Sequence, residues 1–135
     1  MKRFEKIKKS RYRKKLNESN DCVVIAIAIA ARMTYEKAHG ICEFQGRKKG
    51  KGIHTEHVLK HLKVIGFKIE KVKNLRQKNG SRYTPKTIGD RLKRGYYIIR
   101  KNRHAIAVVN GVVEDWTSGR QHHIKDAFKI TRIRS

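Results

Sequence analysis

The sequence predicts an α+β domain, with helices in the first half of the chain and an antiparallel sheet in the second. Three observations carry this prediction. Residues 20–33, NDCVVIAIAIAARM, hold an apolar run longer than one ordinary strand. HTEHVLKHLKVIG sets Val58, Leu62 and Ile65 at helical spacing and ends on Gly66. YYIIR, HAIAVV and VVEDW read as strands, and Asn110-Gly111 between the last two is a two-residue hairpin turn. Helices followed by strands with mostly antiparallel connections make an α+β layout. A chain of 135 residues is one domain by default.

In chain order, residues 1–15 (MKRFEKIKKSRYRKK) carry nine Lys or Arg against one Glu. They read as a basic N-terminal arm, disordered or helical on binding, ahead of a single domain over 16–135. The apolar run is ambiguous at first sight. Ile25-Ala26-Ile27-Ala28-Ile29-Ala30 alternates with period two, as a buried strand does. Its alanines are good helix formers and poor strand formers, and Ser19-Asn20-Asp21 offers an N-cap cluster. The balance is a helix over 22–32. Being apolar on nearly all sides, it belongs between the sheet and other helices.

TYEKAHGICEF predicts a short helix from near Thr34 to about Gly40, and GRKKGKGI a flexible loop. The next helix starts with Thr55 as a cap, and FKIEKV follows as a strand. RQKNGSRYTP is a loop with the only proline, and TIGDRLKRG a short helix from Thr87 to about Arg94. After the hairpin, a helical turn near His123 to Ala127 and a strand FKITRIR close the chain. There is no internal repeat.

Composition limits the function classes. No apolar run reaches the roughly 18–20 residues that span a bilayer, and no signal-peptide core follows the basic start. A cytoplasmic protein without membrane contact is expected. Two cysteines make no disulfide framework. Thirty-five Lys and Arg oppose 11 Asp and Glu, a net charge of +24. Such an excess favours polyanionic partners, nucleic acid or a ribonucleoprotein. The candidate contacts are Lys2, Arg3, Lys6, Lys8, Lys9, Arg11, Arg13, Lys14 and Lys15 in the arm, with Arg47, Lys48, Lys49 and Lys51 in the loop.

The chemistry centres on Cys22. In the first turn of a helix, free backbone N–H groups and the positive dipole end favour a thiolate. A cysteine nucleophile needs a base, and the base an orienting acceptor. With Asn110-Gly111 as the turn, Val109 pairs with Val112 and Val108 with Val113, so Ile106 lies opposite Asp115 and His104 opposite Thr117. His104, Ile106 and Val108 share one face by alternation. Asp115 is the diagonal neighbour of His104 across the hairpin, roughly 7–8 Å apart at the backbone and within side-chain reach. One ring nitrogen of His104 can meet Asp115, leaving the other for Cys22.

These residues carry a resemblance. NDC opening an Ala-rich helix, a late His on a strand and an Asp on the next strand resemble the papain-like cysteine peptidase fold. The similarity is greatest to small bacteriocin-processing peptidases and short phage and bacterial relatives. It covers about Asn17 to Trp116 and rests on two short motifs. It implies a central Cys-bearing helix packed on a C-terminal antiparallel sheet, with Cys22 as nucleophile, His104 as base and acid, and Asp115 as orienting carboxylate. It also implies a phage setting in a host cytoplasm. Two positions depart from the family. Leu16 stands where a Gln oxyanion donor is usual, leaving Asn17 and Asn20 as candidates, and Val23 replaces a frequent Gly.

Plainer readings stand beside these. A free cysteine is commonly core, and Cys42 reads as structural. His54, His57 and His61 lie at helical spacing, but no carboxylate or Cys completes a metal site, so a solvated face is the better reading. His122-His123 reads as surface. Tyr96-Tyr97 and Trp116 read as strand and core packing rather than base-stacking platforms. Cofactors and metals are not expected. The function expected is a cysteine hydrolase cleaving a peptide or isopeptide bond by acyl transfer on a highly basic body. The alternative is a nucleic-acid or ribonucleoprotein-binding protein with a non-catalytic form of the same fold.

Overall fold

The computed structural model describes residues 3–101, 104–115 and 123–133. Lys2, Trp116, Thr117 and His122, singled out above, lie outside the described residues. Among the described residues five α-helices run in order: α1 (Arg3–Lys8), α2 (Arg11–Leu16), α3 (Cys22–Ala30), α4 (Tyr35–Phe44) and α5 (Thr55–Val64). The strands are β1 (Phe67–Lys71), β2 (Tyr96–Lys101), β3 (His104–Val109), β4 (Val112–Glu114) and β5 (Asp126–Arg132). They form one antiparallel sheet in the order β1-β5-β2-β3-β4. The α+β class is as expected.

The apolar run is a helix, and its packing explains the period-two pattern. Seven of its nine residues are buried, all but Cys22 and Ile25. One side of α3 meets the sheet and another meets α4. The sheet offers Ala105 and Ala107 to this core, together with Ile98 and Ile130. Small side chains on β3 let the helix approach closely. The opposite face of the sheet carries Ile99, Ile106 and Val108, packed with Ile88, Leu92 and Ile124. The chain between β1 and β2 covers that face.

The hairpin register is the one the turn dictates. Val109 pairs with Val112, Val108 with Val113 and Ala107 with Glu114. Asn110 and Gly111 take φ values of 47° and 84°, the left-handed conformation this turn requires.

Three expectations need correction, and for the arm one of its two expected forms is seen: residues 3–16 are two short helices. Ser10 caps α2 by accepting the Arg13 N–H at 3.3 Å, and Phe4, Ile7, Tyr12 and Leu16 pack on the main core. Their apolar spacing was hidden among lysines. Helix α4 runs past Gly40 to Phe44, because buried Ala38 and Cys42 lie on one face and outweigh a glycine cost of about 1 kcal/mol. The Thr87–Arg94 helix contracts to a 3-10 turn over Ile88–Asp90, anchored by fully buried Ile88. The helical turn near 123–127 is absent: Asp126 and Ala127 already pair with β2.

Candidate functional site

The site is built where α3 begins. Asp21 occupies the N-cap position, but its side chain makes no cap hydrogen bond. Its carboxylate instead accepts from Arg13 Nε and Nη2 at 2.8 and 3.0 Å and from the Tyr35 hydroxyl at 2.7 Å. That ties α2, α3 and α4 together at one buried point. Just upstream, buried Glu18 accepts from Arg47 Nη1 at 2.7 Å and from the Gly50 N–H at 3.0 Å, and lies 2.5 Å from His39 Nε2. Arg47 also donates to Ser19 O at 3.0 Å. The glycine-rich loop is thereby fixed against the start of α3.

Cys22 opens the helix and lies under the start of β3. His104 Nε2 is 3.1 Å from Asp115 Oδ2, the diagonal contact expected from the hairpin. The same ring is hydrogen-bonded to the Cys22 sulfur. With Nε2 facing the carboxylate, Nδ1 is the nitrogen for the thiol. Burial pushes the Cys22 thiol up, but the His104 hydrogen bond, the Ala105 backbone N–H and the imidazolium charge outweigh it, and its pKa falls below the ordinary thiol value. Burial works on His104 in the opposite sense, yet hydrogen bonds to Asp115 and Cys22 raise its pKa to about 9. The imidazolium of His104 thus favours the thiolate form of Cys22 beside it. Cys42, fully buried, is pushed up to about 12 by desolvation.

No protein-family model, curated protein or solved structure matches this chain. The residues of the site must therefore speak for themselves. Cys22, His104 and Asp115 line a cleft of about 540 Å³, together with apolar Phe4 and Ile25, Lys8 and Gly52 of the loop. Of the two amide candidates, Asn20 lines this cleft. One of its amide hydrogens goes to Gly50 O at 3.0 Å, leaving the second for a ligand. Asn17 does not line it; it is the left-handed C-cap of α2 and is exposed.

The basic residues divide. Arg47 is buried on Glu18, and Arg13 is held by Asp21, so both are structural. Arg3 pairs with Glu114 at 3.1 Å. Lys6, Lys8, Lys9, Arg11, Lys14, Lys15, Lys48, Lys49 and Lys51 are exposed. His54 and His57 stack edge to face, and among the described residues no group of three His, Cys, Asp or Glu could hold a metal ion. Tyr97 is buried in the sheet, and Arg32 lies 4.3 Å over the Tyr96 ring.

Glu18, Tyr35 and His39 escaped the sequence reading, and Asp21 was read only as part of a cap. A signal was present. Glu18 and Asp21 are the only acids between Glu5 and Glu36, and Tyr35 and His39 are four residues apart on one helix face.

The two thiols should separate in a labelling experiment. Below pH 7, iodoacetamide is expected to modify Cys22 much faster than Cys42, followed by mass spectrometry of the two peptides. His104→Ala should move the Cys22 midpoint up toward the ordinary value of about 8.5. Equal rates for both cysteines would contradict an activated Cys22.

Proposed function

We propose that the protein is a papain-like cysteine hydrolase that opens a peptide or isopeptide bond by acyl transfer. The observation that carries this is the hydrogen-bonded series Cys22–His104–Asp115 at the mouth of a cleft, with the thiol at a helix start. The Cys22 thiolate adds to the carbonyl carbon, and the carbonyl electron pair moves to oxygen. The backbone N–H of Cys22 and the second amide hydrogen of Asn20 are the candidate donors to that oxyanion. The C–N bond then breaks as imidazolium His104 gives its proton to the leaving amine, and a thioester remains on Cys22. Neutral His104 next takes a proton from water, the hydroxide displaces the thiolate, and the acid product leaves. Asp115 holds the ring and stabilises its charged form.

Comparative mass spectrometry of a bacterial lysate treated with wild type or Cys22→Ala tests this without prior choice of substrate. New peptide termini, or released isopeptide-linked chains, should appear with wild type only. Identical product sets would discard the hydrolase.

A second reading rests on the +24 charge and the exposed lysines of α1, α2 and the 47–51 loop. These form a polyanion-binding face for nucleic acid or a ribonucleoprotein, either alone or as the means of bringing a hydrolase to such a substrate in the cytoplasm.

A further inference from the structure

A second cleft lies on the side of the sheet away from α3. Its volume is about 510 Å³, close to that of the cysteine cleft, and five cations line it: Lys71, Lys73, Arg76, Arg82 and Lys125. Asp126, the one acid among the described residues that line it, is already held by Arg100, whose Nε donates at 2.7 Å. Arg100 also donates to Glu56 at 2.6 Å. Among the described residues none of the five cations forms an ion pair. The walls are fixed. Val72 N donates to Ala127 O at 2.9 Å, Arg91 Nη2 to Lys73 O at 2.8 Å, Ile124 N to Tyr83 O at 2.8 Å and Lys125 N to Arg100 O at 2.8 Å. Underneath, Val72, Leu75 and Ile124 belong to the second core.

Five like charges held around one concavity repel one another and lower the stability of the fold unless a polyanion enters. We infer that this cleft binds the sugar–phosphate backbone of a single nucleic-acid strand. A strand with its run of phosphates can enter a concavity and meet several of its cations, whereas a flat bilayer reaches only the rim. Among the described residues no aromatic side chain lines the cleft. Binding is therefore to phosphate, independent of base sequence and steeply salt-dependent. None of the five cations belongs to the α1, α2 and 47–51 face, so the cleft is a separate site. It does not depend on the cysteine chemistry.

The test is fluorescence anisotropy with a labelled 20-residue oligothymidylate, titrated at several salt concentrations. The triple variant Lys73→Gln, Arg76→Gln, Lys125→Gln removes three exposed cations of the cleft. Two other triples remove the same charge elsewhere: Lys37→Gln, Lys60→Gln, Lys63→Gln on the helices, and Lys48→Gln, Lys49→Gln, Lys51→Gln in the loop. Each contact to single-stranded nucleic acid contributes about 0.7 to the log–log salt slope, so the cleft triple should lower its magnitude by roughly 2. Affinity at 0.1 M salt should fall at least tenfold further than in the helix triple. Equal losses in the cleft and helix triples would overturn the site and leave only net charge. A loss confined to the loop triple would overturn the cleft while supporting the other basic face. Greater sensitivity of the cleft triple in binding phosphatidylserine vesicles than in binding oligonucleotide would overturn the assignment to nucleic acid. Turnover dependent on Cys22 is a separate readout, and its absence would leave the cleft result standing.

Discussion

Cys22→Ala and His104→Ala are each expected to reduce turnover to the same residual level, and the double variant to go no lower. Thiolate and imidazolium act as one unit: without His104 the sulfur loses the cation that favours its ionised form, and the leaving amine has no acid. Losses in such units are strongly non-additive, with single removals costing on the order of 10⁴- to 10⁶-fold. Asp115→Asn should fall between wild type and these variants, since an amide can still meet Nε2 but favours the wrong tautomer. The pH profile of wild type should be a bell. Its acid limb is Cys22 taking up a proton, at a pKa below the ordinary thiol value. Its alkaline limb is His104 losing its proton near pH 9, after which the leaving group has no acid. Neither alanine substitution touches an exposed lysine, so oligonucleotide affinity should stay within about twofold, roughly 0.4 kcal/mol. A protein whose biological effect survives Cys22→Ala unchanged but fails when the basic surface is neutralised would not be working as a hydrolase.

The diagonal contact between His104 and Asp115 could be read from the sequence because the turn between their strands has two residues. Asn-Gly fixes the register, and register fixes which side chains meet. The helix over Cys22–Ala30 was legible for a different reason: alanine content decided between two periods that hydrophobicity alone left tied. Long-range polar pairing was not legible. Glu18 and Arg47 are 29 residues apart and meet only because α4 and its following loop fold back on the start of α3. A basic block in a glycine-rich segment looks solvated, and nothing local distinguishes buried Arg47 from exposed Lys48 and Lys49. The N-terminal helices were obscured in the same way. Phe4, Ile7 and Tyr12 are few, and dense charge around them masks the stripe by which they pack.

Arg47→Ala should be strongly destabilising, although this arginine sits in a segment whose sequence reads as a disposable loop. The side chain is 1% exposed and the Glu18 carboxylate 0%. Removing one member of a buried ion pair typically costs about 3–5 kcal/mol, because the remaining charge is left without its partner. Glu18 would keep His39 and the Gly50 and Ser19 N–H groups, none of which supplies the arginine's charge. Arg47→Lys should recover only part of the loss, since Arg47 places two guanidinium nitrogens on the two Glu18 oxygens, at 2.7 and 3.2 Å, and a lysine cannot. The pair also gives stability a pH dependence of known sign. The Arg47 hydrogen bonds, aided by His39 and Gly50 and opposed by burial, hold the Glu18 carboxyl well below the usual carboxylate range. A lowered folded-state pKa stabilises above the unfolded value, about 4.3, and that contribution disappears as pH falls toward the folded-state value. Urea unfolding at pH 7 and pH 3.5 should therefore show wild type losing more stability on acidification than Arg47→Ala, and the two converging at low pH. Equal stability of the two proteins at pH 7 would mean that the pair does not hold the loop. The loop also anchors Asn20 through Gly50 and contributes Gly52 to the cysteine cleft. In the folded fraction of Arg47→Ala, the Cys22 alkylation rate should stay close to wild type because His104 and Ala105 are untouched, whereas turnover should fall as the Asn20 amide loses its position.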